Sequence, residues 1–211
     1  AKGNGNRLVS WNYQNNVALS IGTALSGNGT LVNGAAGTLN LGGTATVSTL
    51  TASAVGNTVN YSGGTQTLKV TAYHHLTLSG GAKTFGAIAT IGGNLTLSAS
   101  ATATTGANLT ISGNFDVGSG TTFTVSSDTI TVTGATSVSG TLSHTSTTGT
   151  KTYNGNVTIN SGGVMSEDVA EPIAYGGNVT INSGGTLTEN GAATPIALSA
   201  KEKRAAQRSI L

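Results

Sequence analysis

Eight consecutive residues, Asn156-Val157-Thr158-Ile159-Asn160-Ser161-Gly162-Gly163, return letter for letter as Asn178-Val179-Thr180-Ile181-Asn182-Ser183-Gly184-Gly185, 22 positions later. A repeat of that length constrains the fold strongly, because a unit of some twenty residues has one apolar face that only a neighbouring unit can cover. The period extends upstream with looser spelling, as Gly-Asn-Leu-Thr-Leu from Gly93, Gly-Asn-Phe-Asp-Val from Gly113 and a degenerate Gly-Ala-Thr-Ser-Val from Gly134. A glycine column therefore runs Gly93, Gly113, Gly134, Gly155 and Gly177, in steps of 20, 21, 21 and 22. The unbroken repeat favours one continuous body over separate domains.

Within one repeat the apolar residues alternate with polar ones, which is the period of a strand. Phe115-Asp116-Val117, Thr122-Phe123-Thr124-Val125 and Thr129-Ile130-Thr131-Val132-Thr133 are three such runs, separated by glycine and serine clusters that read as turns. The expected fold is all-β: a right-handed parallel β-helix, or β-solenoid, with about three short strands and 19–23 residues per coil, and a short C-terminal helix. Each coil climbs by one inter-strand spacing of about 4.8 Å, so nine or so coils make a rod on the order of 45 Å long. Residues 1–16 read as an N-terminal strand or cap, 17–198 as solenoid repeats and 199–211 as a capping helix or tail.

Aligned coils assign the inward columns. On the first face they are Leu95/Leu97, Phe115/Val117, Thr136/Val138, Val157/Ile159 and Val179/Ile181; on the third, Leu109/Ile111, Ile130/Val132, Ile173/Tyr175 and Ile196/Leu198. Lys151 shares the parity of Ile130 and Ile173. Either its ammonium snorkels at a corner or the register slips there by one residue, which would flip every side chain. At the C-terminal end, Pro195-Ile196-Ala197-Leu198 is followed by Ser199-Ala200-Lys201-Glu202, a capping-box spelling that opens a short helix laid over exposed strand edges. At the other end Val9, Trp11 and Tyr13 alternate with Leu8, Ser10 and Asn12, placing Trp11 in a strand where it plugs the first coil or docks a preceding unit.

Composition narrows the function classes. Charged residues make up 8% of the chain against about 25% in ordinary soluble domains, so hydroxyls and amides carry the solubility. A net charge of +2 leaves no footprint for nucleic acid, and no run of about 20 apolar residues calls for membrane insertion. With no cysteine there is neither a disulfide framework nor a thiolate metal site. The chain begins at Ala1 without a leader pattern, which the secreted expectation reads as a processed chain or part of a longer one.

The search for chemistry finds three places. His74-His75 replace the Gly93-Asn94 corner of the next coil, a surface corner rather than a metal site, and His144 lies on the second face several coils away. Glu167 and Glu189 stand 22 residues apart, which stacks them on adjacent coils, with Asp168 and Glu171 nearby. A spacing of about 5 Å suits the carboxylate pair of a retaining glycosidase or a hard cation held by oxygens; a solvated acidic corner is the plainer reading. The third place is a surface of hydroxyl rows on the second face: Thr102 and Thr104, Thr122 and Thr124, Thr141 and Ser143, Thr186 and Thr188. Threonine also keeps a strand surface wet while favouring β structure, and Val164 interrupts one row.

Asn94-Leu95-Thr96-Leu97-Ser98, Thr122-Phe123-Thr124-Val125, Gly149-Thr150-Lys151-Thr152-Tyr153 and the two Asn-Val-Thr-Ile-Asn-Ser-Gly-Gly copies are phrases of a particular kind. With them the chain, apart from its last dozen residues, resembles the repeat regions of secreted bacterial surface proteins of the adhesin or filamentous-haemagglutinin-like β-solenoid class. The motifs imply a class, and no functional residue carries over from it. The expectation is a non-enzymatic, cofactor-free extracellular protein of a bacterial cell surface or matrix, partnering with itself, end to end or laterally, or with cell-surface glycans. The alternatives are an ice-binding solenoid using its threonine rows, or a carbohydrate-active β-helix.

Overall fold

The computed structural model describes residues 11–168 and 173–189. The expected helix over 199–211, the pair Ile196/Leu198, Glu171, and Leu8, Val9 and Ser10 lie outside the described residues. Among those described, 26 strands wind into nine stacked coils, and every strand pair is parallel. No helix interrupts them, so none is long and apolar enough to cross a membrane.

Each coil visits three faces in turn. Coil 6, for example, runs through Leu109–Ile111 on the third face, Phe115–Val117 on the first and Thr122–Val125 on the second. The first face is a continuous nine-stranded sheet from Ala18–Ile21 to Val179–Ile181. The second holds a seven-stranded sheet from Gln66–Thr67 to Thr186–Glu189, preceded by a two-stranded one, Ala24–Leu25 with Thr44–Ala45. The third is split into a three-stranded sheet of coils 1–3 and a five-stranded sheet of coils 5–9.

Parallel sheets are usually covered on both faces by helices and so read as continuous apolar runs. Here the three sheets cover one another around a single axis, so each strand needs one apolar face and the sequence can alternate. Phe115, Val117, Phe123, Val125, Ile130 and Val132 are fully buried, while Asp116, Thr122, Thr124 and Thr131 between them face outward. The aligned columns hold in register: Leu95 pairs with Phe115, Phe115 with Thr136, Thr136 with Val157 and Val157 with Val179. Inside the tube Phe123 meets Phe85 and Phe115 edge-on, with ring centroids 5.8 and 5.1 Å apart.

The two glycine signatures have different causes. In the Gly93–Gly177 column the backbones of successive coils touch: a Cβ on Gly134 would sit 2.4 Å from the carbonyl oxygen of Gly113, and one on Gly155 2.2 Å from that of Gly134. The N–H of Gly134 donates to the Gly113 carbonyl at 3.0 Å, so the column is a corner hydrogen-bond ladder without room for a side chain. The first glycine of the Asn-Ser-Gly-Gly phrase answers to conformation instead. Gly162 and Gly184 have φ of 77° and 82°, at the third position of turns closed by Gly163 N–H to Asn160 O and Gly185 N–H to Asn182 O, a geometry that favours glycine there.

Coil length varies more than the repeat alone indicates. The step is 22 residues from Val157 to Val179, but 17 from Thr58 to His75 and from Gln66 to Lys83. Lys151 keeps the register, pairing with Ile130 and Ile173, so the snorkelling alternative holds. Its stem is buried and its Nζ donates to the carbonyls of Thr148 and Gly149, both at 2.6 Å. Lys83 does the same at another corner, donating to the carbonyls of Gly63 and Gly64 at 2.7 Å and to that of Gly80. In coils 1–3 an inward corner is filled by Asn15, Asn33 and Asn57, which bond one another and the backbone around them. At the N-terminal end Trp11 is half buried over Gly29, where a Cβ would lie 2.2 Å from the indole.

Candidate functional site

The hydroxyl rows of the second face lie in strict register. Thr102 pairs with Thr122, Thr122 with Thr141, Thr141 with Val164 and Val164 with Thr186. Two residues along each strand, Thr104, Thr124, Ser143, Ser166 and Thr188 form a second column, which Thr84 and Thr67 extend upstream. That second column carries a hydroxyl on seven successive coils. Its members alternate with the buried Gln66, Lys83, Ala103, Phe123, Leu142 and Met165, so the packed core fixes which way each hydroxyl faces. Thr102 and Thr104 are exposed, whereas Thr122, Thr124, Thr141 and Ser143 are half covered by the coils on either side. The columns repeat at about 4.8 Å from coil to coil and about 6.6 Å along a strand. Ser143 is engaged, its Oγ donating to Asp168 Oδ2 at 2.6 Å.

The other faces are polar outward too, but their columns mix residue types. On the first face Ser20, Asn40, Asn60, Thr77, Thr96, Asp116, Ser137, Thr158 and Thr180 follow one another in register. Amides bridge the early coils there, from Asn40 Nδ2 to Ser20 Oγ and from Asn60 Nδ2 to Asn40 Oδ1.

Glu167 and Glu189 are register partners on adjacent coils. On its other side Glu167 pairs with His144, and His144 with Val125. Glu167 thus takes an inward position that is apolar two coils earlier, at Val125. Asp168 is exposed at the following corner, its N–H bonded to the His144 carbonyl at 2.9 Å. Among the described residues no group of three or more His, Cys, Asp or Glu side chains is arranged to hold a metal ion.

The histidines are structural acceptors. His144 is buried; its Nδ1 lies 2.9 Å from the Ser166 carbonyl and its Nε2 2.7 Å from the Tyr153 hydroxyl. A carbonyl only accepts, so the proton is on Nδ1 and the Tyr153 O–H donates to Nε2. Burial drives the His144 pKa down to about 4; the Ser166 carbonyl opposes the shift, the Lys151 charge adds to it and Asp168 opposes it. His74 and His75 sit at the Gly93-Asn94 corner position, with ring centroids 4.1 Å apart. Each uses Nδ1 as an acceptor: Gly56 N–H donates to His74 at 3.2 Å and Asn94 N–H to His75 at 3.0 Å.

Sequence patterning located the hydroxyl rows and the stacked glutamates. It missed the inward position of His144, the burial of Lys83 and the asparagine cluster of coils 1–3. The only available signal was a polar residue at an apolar parity, which is also the sign of a slipped register. Nine parallel coils with a side-chain core and three polar outer faces define the class: a β-solenoid repeat protein. Comparison with protein-family models, curated proteins and solved structures gave no match to this chain.

Proposed function

We propose that this chain is a non-enzymatic, extracellular structural and adhesive rod of a bacterial cell surface or matrix, binding glycans through the hydroxyl columns of its second face. The observation that carries the reading is the Thr67–Thr84–Thr104–Thr124–Ser143–Ser166–Thr188 column, in which one chemical group repeats on seven coils at a fixed spacing. A hydroxyl contact with a sugar is weak singly, but a regular array engages an extended polysaccharide many times over and gains avidity. Stiffness comes from the same stacking, since each coil is bonded to its neighbours along the backbone. The test is co-sedimentation with purified bacterial cell-surface polysaccharide, comparing the wild type with Thr84→Val/Thr104→Val/Thr124→Val. Valine keeps the shape and strand preference and removes the hydroxyl, so binding should weaken by about tenfold or more. Equal binding by both proteins would remove the second face from the proposal.

End-to-end or lateral association of rods belongs to the same reading, and electron microscopy across a concentration series distinguishes filaments from single rods. The pairing of the two columns over Thr102/Thr104, Thr122/Thr124 and Thr141/Ser143 favours one second reading, a surface that orders water as an ice-binding face does. It predicts faceted ice crystals, lost when Thr124 is replaced by a bulky residue. Hydrolysis of glycan that disappears in Glu167→Gln would reverse the non-enzymatic part.

A further inference from the structure

Coil 4 is where the stack is thinnest. The third-face ladder breaks there: Tyr73 alone, through isolated bridges to Ala52 and Ile91, joins the sheet of coils 1–3 to that of coils 5–9. The step into this coil is the short one of 17 residues. The first face passes through with full strands, from Thr58–Tyr61 to His75–Ser79 to Leu95–Ser98, and the second with the three-residue strand Ala82–Thr84 between Gln66–Thr67 and Thr102–Thr104. One corner of the coil is held by the Lys83 ammonium on three backbone carbonyls.

The other corner is held by His74 and His75, which reach in opposite directions. His74 Nδ1 accepts from Gly56 in coil 3, and His75 Nδ1 accepts from Asn94 in coil 5. Both bonds need an unprotonated Nδ1. A proton there would set N–H against N–H and place two cations on rings 4.1 Å apart. The segments packed against the pair, residues 52–58 and 92–94, carry no titratable side chain, so no carboxylate from them compensates the charge. On coil 4 itself the other titratable groups are Lys69, Tyr73 and Lys83, none of them an anion at neutral pH. Later coils place an amide at the same corner: Asn94 Oδ1 accepts from Asn114 N–H, and Asn114 Oδ1 from Ala135 N–H.

We propose that coil 4 is a proton-operated joint, in which protonation of the His74–His75 pair releases the backbone bonds to Gly56 and Asn94 and loosens the rod at this one level. Desolvation, with the neighbouring His74 as a lesser cause, holds His75 below the usual histidine range. The joint therefore stays closed at neutral pH and opens on acidification.

Hydrogen exchange read by mass spectrometry at pH 7.5 and pH 5, with rates normalised for intrinsic exchange, tests this on the whole chain. In the wild type the amides of Gly56 and Asn94 should lose protection by about tenfold or more at the lower pH, the change that one pKa unit of differential proton binding produces. The double variant His74→Gly/His75→Asn, which writes the Gly93-Asn94 spelling into coil 4, should keep Asn94 protected at both values through the amide, as Asn94 itself does for Asn114. Gly56, whose acceptor leaves with the His74 ring, should show no pH-dependent change in that variant. Equal loss in both proteins, or no loss in the wild type, overturns the proposal. Nitrogen NMR of the wild-type imidazoles gives a reading that does not depend on the variant folding: Nδ1 bearing the proton at neutral pH in either residue overturns it as well.

Discussion

His144 and Tyr153, nine residues apart in sequence and on adjacent coils, meet inside the core with the tyrosine hydroxyl donating to Nε2 at 2.7 Å. Tyr153 in turn stacks on Tyr175 of the next coil, their ring centroids 6.2 Å apart. A neutral imidazole thus links coils 7 and 8 from the inside, and its protonation would set a cation in a sealed apolar tube.

The first prediction follows from that contact. The folded His144 pKa of about 4 lies below the ordinary 6.5, so between these values the unfolded chain binds the proton and the folded chain does not. The stabilisation is complete above about pH 6.5 and declines as pH falls towards 4, by about 3 kcal/mol in total. Urea unfolding of the wild type and His144→Gln at pH 7 and pH 4.5 measures it. The wild type should lose more stability between the two pH values than the variant; equal losses would contradict the assignment.

Glycine substitutions should separate by cause. Gly134→Ala drives a methyl to 2.4 Å from the Gly113 carbonyl oxygen and should cost about 1–3 kcal/mol. Gly22→Ala meets nothing within 4 Å and its φ is not positive, so it should be neutral or slightly stabilising through the unfolded chain. Thermal melting of the two single variants side by side gives the comparison.

Ser100 has φ of 62° in a turn where the corresponding residues Gly120, Gly162 and Gly184 are glycine. A left-handed conformation costs a non-glycine residue about 1–2 kcal/mol, part of which glycine's greater unfolded freedom offsets. Ser100→Gly should therefore raise stability by about 1 kcal/mol or less. A fall in the unfolding midpoint would show that the serine earns its place by another contact.

Thr136 occupies an inward position between Phe115 and Val157, and its buried Oγ1 has no hydrogen-bond partner. An unsatisfied buried hydroxyl costs about 1–3 kcal/mol. Thr136→Val keeps the branched shape and removes that cost, so the variant should unfold at higher denaturant with an unchanged slope.

Much of the architecture was legible without coordinates because it is written locally and repeatedly. The alternation in Phe115-Asp116-Val117 and Thr122-Phe123-Thr124-Val125 predicts which side chains turn inward, and the glycine column predicts the register that Gly93, Gly113 and Gly134 adopt. The hydroxyl columns follow from the same alternation, since whatever lies between two core residues must face water. Lys151 was ambiguous because its parity placed a charge in the core, and only the carbonyls of Thr148 and Gly149 explain why it stays there.

By itself the sequence determined the period, the strand parity and the glycine column, all properties of a few neighbouring residues seen many times. The tertiary structure alone decided that His144 is sealed in the core, that Lys83 clamps three carbonyls and that the third-face ladder thins to Tyr73 at coil 4. The reason is physical: a buried polar group is tolerable only when distant parts of the chain deliver its partners. In a solenoid those partners arrive from the coils above and below, some twenty residues away, where no local pattern records them.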